Sequence, residues 1–233
     1  PGPGHGIQLS GGRLLVPVWI SDGGGEEAVK SGKIKHRPSV VSSLFSDDYG
    51  KTWQAGDIAV PDNDTIVIPN ETSCIELADG RVMFNSRNES INYRRVITYS
   101  PDGQTGWSKS EFADAFFEPI CVARMCPFSK QPLQSKNRIL FCNPDSRYNP
   151  WVASKKSTPR SALNRRRSNL TVRMSYDEGL TWPVCKTITT GVAGYSDLAV
   201  TSDGLIHCLF VNGSKQGKGG NRYQINELYI ATF

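Results

Sequence analysis

No stretch of this 233-residue chain approaches the ~18 consecutive apolar residues that a membrane-spanning helix needs. Histidine is scarce: His5, His36 and His207 are the three present, and no zinc-type spacing joins them to Cys121 and Cys126. Neither a metal nor another cofactor is therefore expected. Cysteine numbers six, too few for a disulfide-dense scaffold. Cys142 and Cys208 sit inside apolar runs and read as small buried hydrophobes. The 3.6-residue apolar period of helices is almost missing. An initiator methionine and a signal peptide are missing too, since the chain opens on Pro1-Gly2-Pro3-Gly4, so a start in mid-protein is expected.

What is present is ordinary globular composition, with 38% hydrophobic and 21% charged residues, too balanced for disorder. The net charge of +5 suits an acidic ligand without naming one. Short β-type runs dominate, and three share one plan, a glycine turn followed by an apolar strand. They are Leu9 to Val16 around Gly12, Leu77 to Phe84 around Gly80, and Thr201 to Cys208 around Gly204; Asn137 to Cys142 is a weaker copy. A second kind of segment runs from an apolar strand into a tight turn: Ser42 to Trp53, Arg95 to Trp107 and Leu170 to Trp182. The repeat predicts about four units of roughly 60 residues, the scale of propeller blades. A ring of blades this size needs more than four, so an all-β, six-bladed propeller with about four blades present is expected. Residues 1–233 are read as one incomplete domain whose open ring exposes strand edges.

The second segments carry a sharper signature. Ser46, Asp48, Gly50 and Trp53 repeat the spacing of Ser175, Asp177, Gly179 and Trp182, as Ser-x-Asp-x-Gly-x-x-Trp; Ser100 to Trp107 is a degenerate copy. Serine and aspartate can satisfy turn amides, glycine takes a conformation costly elsewhere, and tryptophan is expected to pack beneath. This is the Asp-box. A Ca²⁺ site on Asp48 and Asp177 is the functional rival, but each turn lacks the ligand number that Ca²⁺ requires. The boxes are read as structural.

Between the boxes the chain resembles the bacterial-type exo-alpha-sialidases, or neuraminidases. Pro69 to Arg87 is similar to the segment that runs from their catalytic Glu to the second Arg of the sialic-acid clamp; Arg167 to Ser175 resembles the one carrying the third clamp Arg; Gly194 to Leu198 looks like the turn presenting the nucleophilic Tyr. The opening Gly4 to Leu9 also fits, so the likeness covers essentially the whole chain in order. It implies Tyr195 as nucleophile, Glu71 as the base for Tyr195, and Arg87 and Arg167 as ligands of the sialic-acid carboxylate. Arg165 or Arg166 is the alternative to Arg167. Glu76, Arg81, Arg94, Arg124 and Arg173 are left as structural or supporting residues. The implied reaction releases terminal sialic acid from glycoproteins, glycolipids or oligosaccharides, with retention through a covalent sialyl-tyrosine.

Chemistry accounts for those residue types. Arg holds a carboxylate with planar, charge-assisted hydrogen bonds that Lys cannot match. A carboxylate nucleophile would be repelled by the sugar's own carboxylate; a neutral Tyr is not, and sialidases depart in this way from the two-carboxylate rule. The family's first clamp Arg and its acid/base Asp find no match here, which implies impaired activity for the chain by itself.

Rivals are a non-catalytic Asp-box propeller binding glycan or protein, and a trans-sialidase sharing the same residues. Seven basic residues and no acidic one lie from Arg147 to Arg167, with Tyr148 and Trp151 beside them. A solvated loop explains this stretch better than nucleic acid, so sialylated glycans are the expected partner; nothing in the sequence speaks to oligomeric state. Sequons occur at Asn63, Asn70, Asn88, Asn169 and Asn212. Glycans at Asn70 and Asn88 would obstruct Glu71 and Arg87, so most are read as unused. A secreted or periplasmic location is expected ahead of a lysosomal or membrane-associated one.

Overall fold

A computed structural model describes residues 4–21, 23, 37–148, 167–213 and 227–233. Of the basic stretch, Lys155, Lys156, Arg160, Arg165 and Arg166 lie outside the described residues, as does Trp151. Among the described residues all regular structure is β, apart from one 3-10 turn at Ser146–Tyr148. No helix there is long and apolar enough to cross a membrane.

The strands form three sheets. The first takes β1 (Ile7–Gln8), β2 (Leu14–Ile20), β3 (Val40–Ser46) and β4 (Gln54–Ala55) in chain order. The second takes β5 (Thr72–Glu76), β6 (Val82–Ser86), β7 (Arg94–Ser100) and β8 (Glu111–Phe117), also in order. The third has six strands in order: β9 (Arg124–Ser129), β10 (Arg138–Pro144), β11 (Ser168–Ser175), β12 (Val184–Val200), β13 (Ile206–Gly213) and β14 (Glu227–Thr232). The expected four units are thus carried by three sheets. The reason is β12, whose 17 residues pair with β11 through Val192 and with β13 from Val192 onward.

The two repeated segments become the two kinds of connection within a unit. In the glycine turns, Gly12, Gly80 and Gly204 donate to Leu9, Leu77 and Thr201 carbonyls at 2.8, 3.1 and 2.9 Å, with φ of 93°, 88° and 87°. Such φ values are open to glycine at little cost, which is why the dipeptides recur. The Asp-boxes close the third-to-fourth strand connections. In the first, Ser46 Oγ donates to Asp48 (2.8 Å) and accepts from Gly50 N (2.8 Å). Asp48 accepts from Thr52 N (2.9 Å) and Oγ1 (2.7 Å), and Trp53 Nε1 donates to Gly50 O (3.1 Å). The second repeats these bonds with Ser175, Asp177, Gly179, Thr181 and Trp182.

The chain divides into two compact units, Pro1–Ala113 and Asp114–Phe233, with the boundary inside β8. The first unit's core joins Leu15, Val41 and Phe45 to Cys74, Phe84 and Val96. Ser10 N and Oγ donate to Glu76 at 3.0 and 2.6 Å, tying the first two sheets at their β1 and β5 ends, a structural role for that carboxylate. The second unit's core gathers Leu140, Cys142, Leu170, Val172, Leu198, Cys208 and Phe210. Cys142 and Cys208 are fully buried there with their sulfurs 3.7 Å apart, as small hydrophobes in an apolar setting.

Candidate functional site

In the first unit, strand register explains the 16-residue spacing of Glu71 and Arg87. Thr72 pairs with Ser86 at the end of β5 and β6, and one step further the same register sets Glu71 opposite Arg87. The backbone continues the ladder, with Arg87 N donating to Glu71 O (3.0 Å) and Asn70 N to Arg87 O (2.9 Å). The side chains meet in an ion pair between Arg87 Nη1 and Glu71 Oε2, each largely buried at 12% and 14% exposure. Buried neighbours fix this end of the hairpin. Thr72 Oγ1 bonds Asn70 O (2.6 Å) and Ser86 Oγ (2.9 Å), while Asn88 Nδ2 donates to Arg94 O (2.8 Å). Asn70 and Asn88 are themselves buried, at 5% and 1% exposure.

In the second unit, Arg167 stands just before β11 and Tyr195 lies in β12, where the register slips between Ala193 and Ser196. That bulge turns Tyr195 outward; it is 39% exposed while Ser196 beside it is buried. The Arg167 guanidinium carbon sits 5.2 Å from the centre of the Tyr195 ring, within cation–π range. Arg167 Nη2 donates to the Ile120 carbonyl, which holds it there. Ile120 has φ of 55°, the left-handed region where a β-branched side chain is strained, so the loop carrying this acceptor is held by its surroundings. Part of the hold is Glu118, 2% exposed, accepting from Cys121 N at 2.9 Å.

The sequence-predicted residues therefore form two contacts, Glu71 with Arg87 in the first unit and Arg167 with Tyr195 in the second. Asp197 is a neighbour that sequence reasoning passed over. It is two residues beyond Tyr195 on the same strand. Arg124 Nε of β9 approaches its carboxylate at 3.3 Å. Its place two residues from Tyr195 in the sequence was the available signal. Asp145 was also missed; it ion-pairs with Arg147 (2.8 Å) and with Arg173. Burial pushes the Asp145 pKa up, but the hydrogen bond from Arg147 and the charge of Arg173 outweigh it and hold it below the usual carboxylate value.

The Asp-box aspartates are occupied within their own turns. Asp48 falls from its ordinary 3.8 to about 2, because the backbone N–H and then the hydroxyl of Thr52, with Ser46, favour the charged form. Asp177 is likewise lowered, with burial opposing and the Thr181 and Ser175 bonds prevailing.

The family model for the BNR repeat-like domain matches residues 1–208. A sialidase from Micromonospora viridifaciens is 31% identical over 216 residues, covering 91% of this chain and 28% of its own length. A Vibrio cholerae sialidase is 28% identical over 224 residues, with 85% of this chain and 25% of its own length covered. Among solved structures, the leech intramolecular trans-sialidase complexed with 2,7-anhydro-Neu5Ac matches all of this chain and 31% of its own, with a TM-score of 0.69 at 19% identity. The chain thus spans roughly a quarter to a third of each of these proteins.

Proposed function

Because this chain belongs to the BNR repeat-like domain family, we propose that it forms part of a sialidase that releases terminal sialic acid from glycans. The observation that carries the reading is the Arg167 guanidinium set 5.2 Å from the ring of an outward-facing Tyr195. A nucleophilic phenol needs its developing negative charge stabilised, and a carboxylated sugar needs a cation beside it; one guanidinium answers both.

In this reading Tyr195 attacks the anomeric carbon and Glu71 takes its proton, giving a sialyl-tyrosine that water opens with net retention. Arg87 and Arg167 hold the substrate carboxylate. Arg87 is paired with Glu71 in the free protein, so substrate binding exchanges one carboxylate partner for another. Residues 1–233 act as one incomplete propeller domain in a secreted or periplasmic protein, and the remaining clamp Arg and acid/base Asp come from outside the chain.

The test is hydrolysis of a fluorogenic sialoside by this chain and by a form extended upstream. Activity confined to the extended form, and reduced at least about a hundredfold by Tyr195→Phe, supports the reading. A first-formed product of inverted configuration sinks the sialyl-tyrosine. Transfer to lactose in preference to water makes the protein a trans-sialidase. A folded, inert extended form that binds no sialic-acid transition-state analogue leaves a glycan- or protein-binding propeller.

A further inference from the structure

A cavity of about 500 Å³ opens in the second unit, within the usual range for small-ligand pockets. Its lining includes Thr171 and Arg173 of β11, which alternate with the core residues Leu170 and Val172 and so occupy the opposite face. None of Glu71, Arg87, Arg167 or Tyr195 lines it.

Charge selects the ligand. Among the described residues of the lining, the charged side chains are Asp145, Arg147 and Arg173, two guanidiniums against one carboxylate. Asp145 and Arg173 are paired and each only 6% exposed, so they compensate one another out of solvent's reach. Arg147 grips the same carboxylate through Nε (2.9 Å) and Nη2 (2.8 Å), yet its side chain stays 27% exposed. The excess positive charge therefore sits on the guanidinium that a solute can reach. Around this charge the wall is hydroxylic, from Thr187 and Thr190 on β12, with the indole of Trp182 as an apolar side.

We infer that this cavity is a second binding site, for a small hydroxyl-bearing monoanion of the sugar-acid class. The ligand's carboxylate meets Arg147, its hydroxyls meet the threonines, and its carbon skeleton lies along Trp182. The inference does not depend on the role given to Tyr195.

Cys185 supplies the reporter. It lines the cavity and is the one exposed cysteine of the six. Alkylation of the native chain by N-ethylmaleimide, followed by intact mass, reads that thiol first, and Cys185→Ser confirms the assignment. D-glucuronate is expected to slow alkylation saturably, about tenfold at a concentration about ten times its dissociation constant. D-glucose at the same concentration leaves the rate unchanged, and Arg147→Gln abolishes the protection. Equal protection by glucose, no protection by glucuronate, or a thiol unreactive without ligand each overturns the site. The glucuronate–glucose comparison is made on the unaltered chain, so it stands even where Arg147→Gln unfolds.

Discussion

The two clean Asp-box turns are built alike and embedded differently. Their glycine-amide bonds measure 2.8 and 2.9 Å, their tryptophan bonds both 3.1 Å, and their glycines have φ of 85° and 86°. Even the residue before the glycine matches, with Tyr49 at φ 59° and Glu178 at φ 58°. The tryptophans diverge. Trp182 packs edge-on against Phe116 and Phe141, with ring centres at 4.9 and 6.0 Å. Trp53, in the first sheet, is 45% exposed, against the expectation that it packs beneath its turn. The turn is thus closed by its own eight residues, and the burial of its tryptophan is decided by what lies beside the sheet.

That contrast can be broken in decreasing order of effect. Trp182→Ala should cost the second unit about 3 kcal/mol, as for a packed aromatic, read by urea denaturation with circular dichroism. Trp53→Ala should cost less than about 1 kcal/mol on the same readout; equal losses would refute the difference in embedding. Gly50→Ala and Gly179→Ala should each cost about 1–2 kcal/mol, because both need the left-handed region. For Gly50 an added Cβ would meet nothing closer than Leu14 Cδ1 at 3.6 Å, so the loss there is conformational.

The smallest effect is in acid. Asp48 titrates at about 2 in the folded chain against an ordinary 3.8. A lowered folded pKa gives stability that is complete above about pH 4 and fades as pH falls toward about 2. Asp48→Asn should remove that part of the acid dependence of the melting temperature. Asp177→Asn should act in the same direction but more weakly, because burial opposes its shift.

Much of the fold was legible because the repeats encode local hydrogen bonds. Gly12, Gly80 and Gly204 each close the same turn, and Ser46 and Ser175 each bind the same amide four residues on. The contact of Glu71 with Arg87 was half legible, since resemblance supplied the residues and only strand register supplies the reason they meet. Non-local features stayed hidden. Arg95 is fully buried in β7, with Nη2 on Asn85 O at 2.9 Å, and nothing in its local sequence separates it from Arg94 beside it. Asp145 and Arg173 are 28 residues apart, and no local pattern joins them. The turn copies likewise gave no hint that the third and fourth units share a strand.

That shared strand constrains how such a chain can be shortened or rearranged by evolution. A recombination point falling within Val184–Val200 strips the outer edge from one repeat or the inner edge from the next, because the same backbone serves both. Between the first two sheets the chain runs from Ala55 to Thr72 outside the named strands, with Val60 bridging Val41, and a crossover beyond Val60 leaves every strand ladder intact. The tandem array is therefore divisible near its start and spliced near its end, and a viable deletion removes the last two repeats together.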